Sequence, residues 1–184
     1  YQEPDGRAYL VRSVDNQFVG FSRLSDDYLN TTAAGIISKG PRCEGQAVWR
    51  DISGSYYLLC SHLTGWRANP AILARSDATC LEGATWTVVG NPTHKAFTYD
   101  SQSTFVLPLT LPSGHLLLYM GDRWNEASES GQGSVGSAKY VWLPLLHNQS
   151  DPSGFSMPLF GGPWNGTGRW RVSDYIEPGA RGVR

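Results

Sequence analysis

The sequence predicts an all-β fold. Short apolar segments recur between turn residues, and no segment sustains a helical period over three turns. The 184 residues include 7 Trp, 9 Tyr, 21 Gly and 11 Pro. Aromatic side chains suit a pleated, packed surface, while Gly and Pro supply the corners between short strands.

Residues 7–12 follow the Asp5-Gly6 turn as a first strand, answered by residues 18–21. Residues 47–50 and 56–60 flank Ser53-Gly54 and read as a hairpin. Residues 72–75 and 85–89 come next. Residues 103–107 and 116–120 flank Pro112-Ser113-Gly114, and residues 140–145 precede a turn-rich tail holding Trp164 and Trp170. The segments group into antiparallel sets around Tyr9 to Phe21, Val48 to Val89, and Phe105 to Leu145. Sets of about four strands separated by long loops suggest propeller blades. A sandwich or jelly roll is the alternative, since no glycine or Trp-Asp motif recurs once per blade.

Composition narrows the function. Hydrophobic residues make up 40% of the chain and charged ones 17%, which excludes a disordered tail. A net charge of −1 lacks the basic face that a nucleic-acid partner requires. No apolar run approaches the roughly 20 residues of a membrane helix. The opening Tyr1-Gln2-Glu3-Pro4 has neither basic flank nor apolar stretch, so no secretory leader is read there. Cys43, Cys60 and Cys80 form no Cys-x-x-Cys pair, and His62, His94, His115 and His147 show no metal spacing. No metal or cofactor is therefore expected. Two of the cysteines could pair, but spacing does not choose which. N-glycosylation triplets at Asn30, Asn148 and Asn165 favour the secretory pathway and an extracellular, cell-wall or Golgi location.

Several segments carry a more specific signal, and they occur in order. They are Asp5-Gly6-Arg7-Ala8-Tyr9-Leu10, Leu24-Ser25-Asp26-Asp27-Tyr28-Leu29, and Cys43-Glu44-Gly45. Then come Ser61-His62-Leu63-Thr64-Gly65-Trp66-Arg67-Ala68-Asn69, the run from Ser101 to Leu109, Gly121-Asp122-Arg123-Trp124-Asn125, and the run from Tyr140 to Leu145. This ordered set resembles glycoside hydrolase family 43, in its exo-β-1,3-galactanase branch. The resemblance implies a five-bladed propeller with a central sugar pocket, of which this chain supplies about three blades. It begins midway through the propeller. Residues 1–184 are therefore expected to be one partial propeller domain, lacking the earlier blades and inactive alone, though monomeric when full length.

The same resemblance implies an inverting hydrolase that removes β-1,3-linked galactose from galactan or arabinogalactan side chains. Such a reaction needs a proton for the leaving oxygen and a water aimed at the anomeric carbon. Glu44 matches the first position of the family's Glu-Gly-Pro or Glu-Ala-Pro acid motif and is the expected general acid. Gln46 stands where the motif has proline. Gln102 matches a glutamine on the water side of the sugar; as a neutral amide it orients water or acts as an imidic tautomer. Thr64, Trp66 and Asn69, together with Asp122 and Trp124, are candidate sugar-binding residues, with Arg123 either joining them or bracing Asp122. Asp5 reads as a turn residue rather than the acid's pKa modulator, and Trp142 as packing. The expected partner is a polysaccharide or oligosaccharide. The alternatives are a non-catalytic sugar-binding propeller, an interaction module, or a family 43 hydrolase acting on arabinan or xylan.

Overall fold

Alternate residues of the central strand face opposite ways, and both of its faces are buried. The computed structural model describes residues 1–111, 114–123 and 138–158. Strands β1 (Tyr9–Val14), β2 (Phe18–Arg23) and β3 (Ser38–Lys39) form a first antiparallel sheet in the order β1-β2-β3. Strands β4 (Glu44–Arg50), β5 (Tyr56–Ser61), β6 (Ala71–Ser76) and β7 (Thr87–Gly90) form a second, in chain order. Strands β8 (Ser101–Leu111), β9 (Gly114–Arg123), β10 (Lys139–His147) and β11 (Phe155–Ser156) form the third, in the order β11-β10-β9-β8. The fold is all-β and antiparallel, and among the described residues no sheet closes on itself.

The middle sheet lies between the other two. Tyr56, Leu58 and Cys60 of β5 pack with Val48, Ile72 and Ala74 against Tyr9, Val19 and Phe21 of the first sheet. Tyr57 and Leu59, the alternate residues, pack with Trp49 and Leu73 against Val106, Tyr119, Val141 and Leu143 of the third. That is why β5 is buried at every position: a strand covered on both faces reads as a continuous apolar run. Trp49 stacks on Tyr57 at 5.3 Å, and Phe155 meets both rings edge-on. A large buried aromatic contributes roughly 1.5–3 kcal/mol by removal from water.

The proline positions obey the sheet edges. Pro108 lies in β8, an edge strand of its sheet, where a missing N–H costs no ladder bond on the open side. Pro144 lies in β10, whose outer neighbour β11 pairs only with Leu146 and His147. The two-residue strands β3 and β11 carry no alternation of their own. Trp142 corrects the sequence reading: its neighbours Val141 and Leu143 take the core face, leaving the indole on the other side and 49% exposed.

Candidate active site

Strand direction gathers the candidate residues at one rim. Glu44 opens β4, Ser61 ends β5, Gln102 lies in the first turn of β8, and Asp122 lies near the end of β9. Glu44 is the register partner of Ser61, and Gln102 that of Asp122. The edge strands β4 and β8 lie against each other, so two sheets contribute to one place. A disulfide joins Cys43 to Cys60, one residue before Glu44 and one before Ser61. Sequence spacing could not choose that pair; the strand register does, because it brings the two positions side by side.

Residues 44 and 102 are connected through a single hydroxyl. Ser61 Oγ donates to the Glu44 carbonyl at 3.3 Å and accepts from Gln102 Nε2 at 2.8 Å. The ladder is irregular between Glu44 and Ala47, and again between Ser103 and Phe105. Bulges re-aim side chains at sheet ends, and here the two face one another. Gly45 sits at φ +64°, in left-handed backbone that a side chain disfavours. Ser103 Oγ donates to the Gly45 carbonyl and locks the two bulges together.

Gln102 is also held from the chain before it. Thr98, Tyr99 and Asp100 form one tight turn with φ of 45°, 55° and 59°. Left-handed backbone at a residue other than glycine costs roughly 1–2 kcal/mol, so three in succession require external ties. Thr98 Oγ1 donates to the Asn69 carbonyl at 2.7 Å, and Tyr99 OH to the Met157 carbonyl at 2.7 Å. Ser101 Oγ donates to the Thr98 carbonyl at 2.6 Å. Asp100 lies 3.7 Å from the Arg123 guanidinium. Burial raises the Asp100 carboxyl above its ordinary pKa, and Arg123 offsets part of that rise.

The loop after Ser61 is braced from within. Asn69 is buried; its Oδ1 accepts from the His62 N–H at 3.0 Å, and its Nδ2 donates to the His62 carbonyl at 2.9 Å and to Thr64 Oγ1 at 2.7 Å. Thr64 Oγ1 donates in turn to the Arg67 carbonyl. These polar groups shape the loop, and Trp66 at its tip is 61% exposed. Sequence reasoning missed the roles of Ser61, Ser103 and the left-handed turn; the two serines stood only as members of the runs that begin at Ser61 and Ser101. Trp124 lies outside the described residues.

The other rim is structural. Asp5 Oδ1 accepts from the Arg7 N–H, and Gly6 follows at φ +91°, the geometry of a turn. Glu3, two residues earlier, accepts from Tyr56 OH at 2.5 Å and faces Arg50 at 3.8 Å, at the far ends of β5 and β4 from Ser61 and Glu44. A cavity of about 290 Å³ lined by Asp5, Gly6, Arg7, Arg23 and Tyr28 therefore belongs to this rim, away from Glu44. His94 pairs with Asp151. Among the described residues, no His, Cys, Asp and Glu group has the arrangement of a metal site, and no helix is long and apolar enough to cross a membrane.

Known structures share this arrangement of sheets. The chain is similar to an exo-β-1,3-galactanase from Clostridium thermocellum, with 31% identity and a TM-score of 0.71, over 86% of this chain and 33% of that one. It is similar to a family 43 β-1,3-galactosidase solved with galactodeoxynojirimycin, with 29% identity and a TM-score of 0.70, over 87% of this chain and 44% of that one. The chain is similar to structures of glycoside hydrolase family 43. It also resembles an exo-β-1,3-galactanase from Phanerochaete chrysosporium solved with β-1,3-galactotriose, at 28% identity and a TM-score of 0.68, over 86% of this chain and 34% of that one. No family model and no curated protein matches it. The chain spans about a third to a half of the solved structures it resembles, 33% in one case and 52% in another.

Proposed function

We propose that the protein containing this chain hydrolyses β-1,3-galactosidic bonds of galactan, releasing galactose from the chain end with inversion. The observation that supports the reading is that Ser61 ties the main-chain carbonyl of Glu44 to the Gln102 amide at one rim of two adjoining sheets. In this reading Glu44 protonates the leaving oxygen. Gln102 orients the water on the opposite face of the sugar, and an inverting geometry sets the two sides roughly 6.5–9.5 Å apart. Trp66, Asp122 and Trp124 take part in binding the sugar, with Thr64 and Asn69 shaping the loop that carries Trp66. The similar structures support a carbohydrate partner: three are described with β-1,3-galactotriose or galactose. In two of these a glutamate is replaced, by glutamine or by alanine.

The three sheets are blades of a five-bladed propeller, and residues 1–184 form part of that single domain. The remaining blades supply the other carboxylates of the site, and the complete protein is a monomer. Secretion is supported by the Cys43–Cys60 disulfide, which an oxidising compartment maintains, and by the exposed Asn30 triplet.

The test is Glu44→Gln in the full-length protein with β-1,3-galactobiose. Loss of the acid lowers kcat by about 10²- to 10⁴-fold. Near-wild-type turnover removes the assignment; saturable galactan binding without hydrolysis in the unmodified protein favours a sugar-binding propeller instead.

A further inference from the structure

A hydroxyl has one proton to donate, and Ser61 sends it to a main-chain carbonyl. The Glu44 carbonyl can only accept, so the Ser61 proton points there. Toward Gln102 the same oxygen is left as an acceptor, and the group it meets is the amide –NH2. The amide therefore stands with Nε2 turned to Ser61 and Oε1 as the end left for another partner. Ser61 is buried at the end of β5 and paired in register with both Glu44 and Ala71, so its backbone is fixed by two ladders.

We infer that Ser61 is the positioning residue of Gln102: its hydroxyl selects the amide orientation that offers Oε1 to water. The inference rests on the proposed role of Gln102 on the water side. An amide turned the other way would present –NH2, which cannot accept a hydrogen bond from the attacking water. A carboxylate needs no such selection, because its two oxygens are equivalent. The glutamine therefore requires a partner with a defined donor and acceptor sense, and Ser61 supplies it. Gly45 closes the other side of the amide, so rotation is restricted sterically as well.

The experiment is a double-mutant cycle in the full-length protein on β-1,3-galactobiose. Ser61→Ala lowers kcat about tenfold, the value of one lost hydrogen bond, and leaves KM within about twofold. Ser61→Thr, which keeps the hydroxyl, restores most of the rate. In a Gln102→Glu background, where there is no amide to orient, Ser61→Ala costs less than about twofold. An equal cost in that background, or an undiminished kcat in Ser61→Ala, overturns the inference while leaving Gln102 in place. Gln102→Ala with unchanged kcat overturns the reading of Gln102 itself. Should Ser61→Ala not fold, Ser61→Cys preserves the volume with a far weaker hydrogen-bonding group and is read the same way.

Discussion

Gly45 and the side chain of Gln102 are in contact so close that no other residue fits between them. A β-carbon placed on Gly45 would stand 2.5 Å from Gln102 Cγ, 2.8 Å from its Cδ and 3.0 Å from the Ser103 carbonyl. Gly45→Ala must therefore displace the amide, and it must also hold φ at +64°. The backbone term alone costs roughly 1–2 kcal/mol. The expected result is a lower melting temperature together with a fall in kcat of at least about tenfold, since small misplacements of a catalytic group are costly.

The disulfide between Cys43 and Cys60 spans 17 residues of sequence. Removing it as the double serine variant frees the unfolded chain and costs about 3 kcal/mol by the loop-closure relation. Because Glu44 and Ser61 are the next residues on either side, activity falls at temperatures where the remaining protein is still folded. Denaturation curves and rates measured with and without a reductant check both halves.

Glu3 is the buried carboxylate of the opposite rim. It takes hydrogen bonds from Tyr56 OH at 2.5 Å and Tyr1 OH at 3.1 Å, with Arg50 at 3.8 Å. Glu3→Ala strands the Tyr56 hydroxyl in the core and costs about 2–3 kcal/mol. Urea denaturation reads this directly, and kcat per folded molecule stays unchanged.

Alkaline pH weakens the same region. Burial, then the hydrogen bond to Glu82, pushes the Tyr9 hydroxyl up to about 12, and burial and Glu3 raise Tyr1 and Tyr56 as well. In the unfolded chain a tyrosine loses its proton near pH 10, so above that pH the folded state binds more protons than the unfolded one. Stability is complete below pH 10 and declines as pH rises toward 12. Tyr9→Phe flattens that decline; a slope identical to wild type counts against the assignment.

Asn69 tests the loop. Its Nδ2 donates to a carbonyl and a hydroxyl, so Asn69→Asp sets a carboxylate oxygen against the His62 carbonyl. The expected loss is about 1–3 kcal/mol from the buried groups left unpaired. Trp66→Ala, at the exposed tip, leaves stability unchanged and weakens galactan binding.

The strands were legible because the middle sheet is covered on both faces and the flanking sheets alternate. Residues 56–60 could hardly be read otherwise. Strands β3 and β11 were not legible: two residues cannot show a period. Glu44 and Gln102 were singled out through motif resemblance, and strand direction sets both at one rim. Ser61 was not, because a serine closing a strand carries no signal until register sets it opposite Glu44. Asn69 looked like a sugar ligand for being polar in a Gly-containing loop; its bonds instead turn inward. Trp142 looked like core because its strand is apolar throughout, and the register assigned it to the other face.

The seven residues of β4 separate Glu44 from Arg50 by roughly 20 Å at a strand's rise. That is more than twice the screening distance in physiological salt, about 8 Å. Charges added or removed around Arg50, Asp51 and Glu3 would thus be largely screened at the rim that holds Glu44 and Ser61. A designer could harden the protein from that side without disturbing the field at the opposite rim.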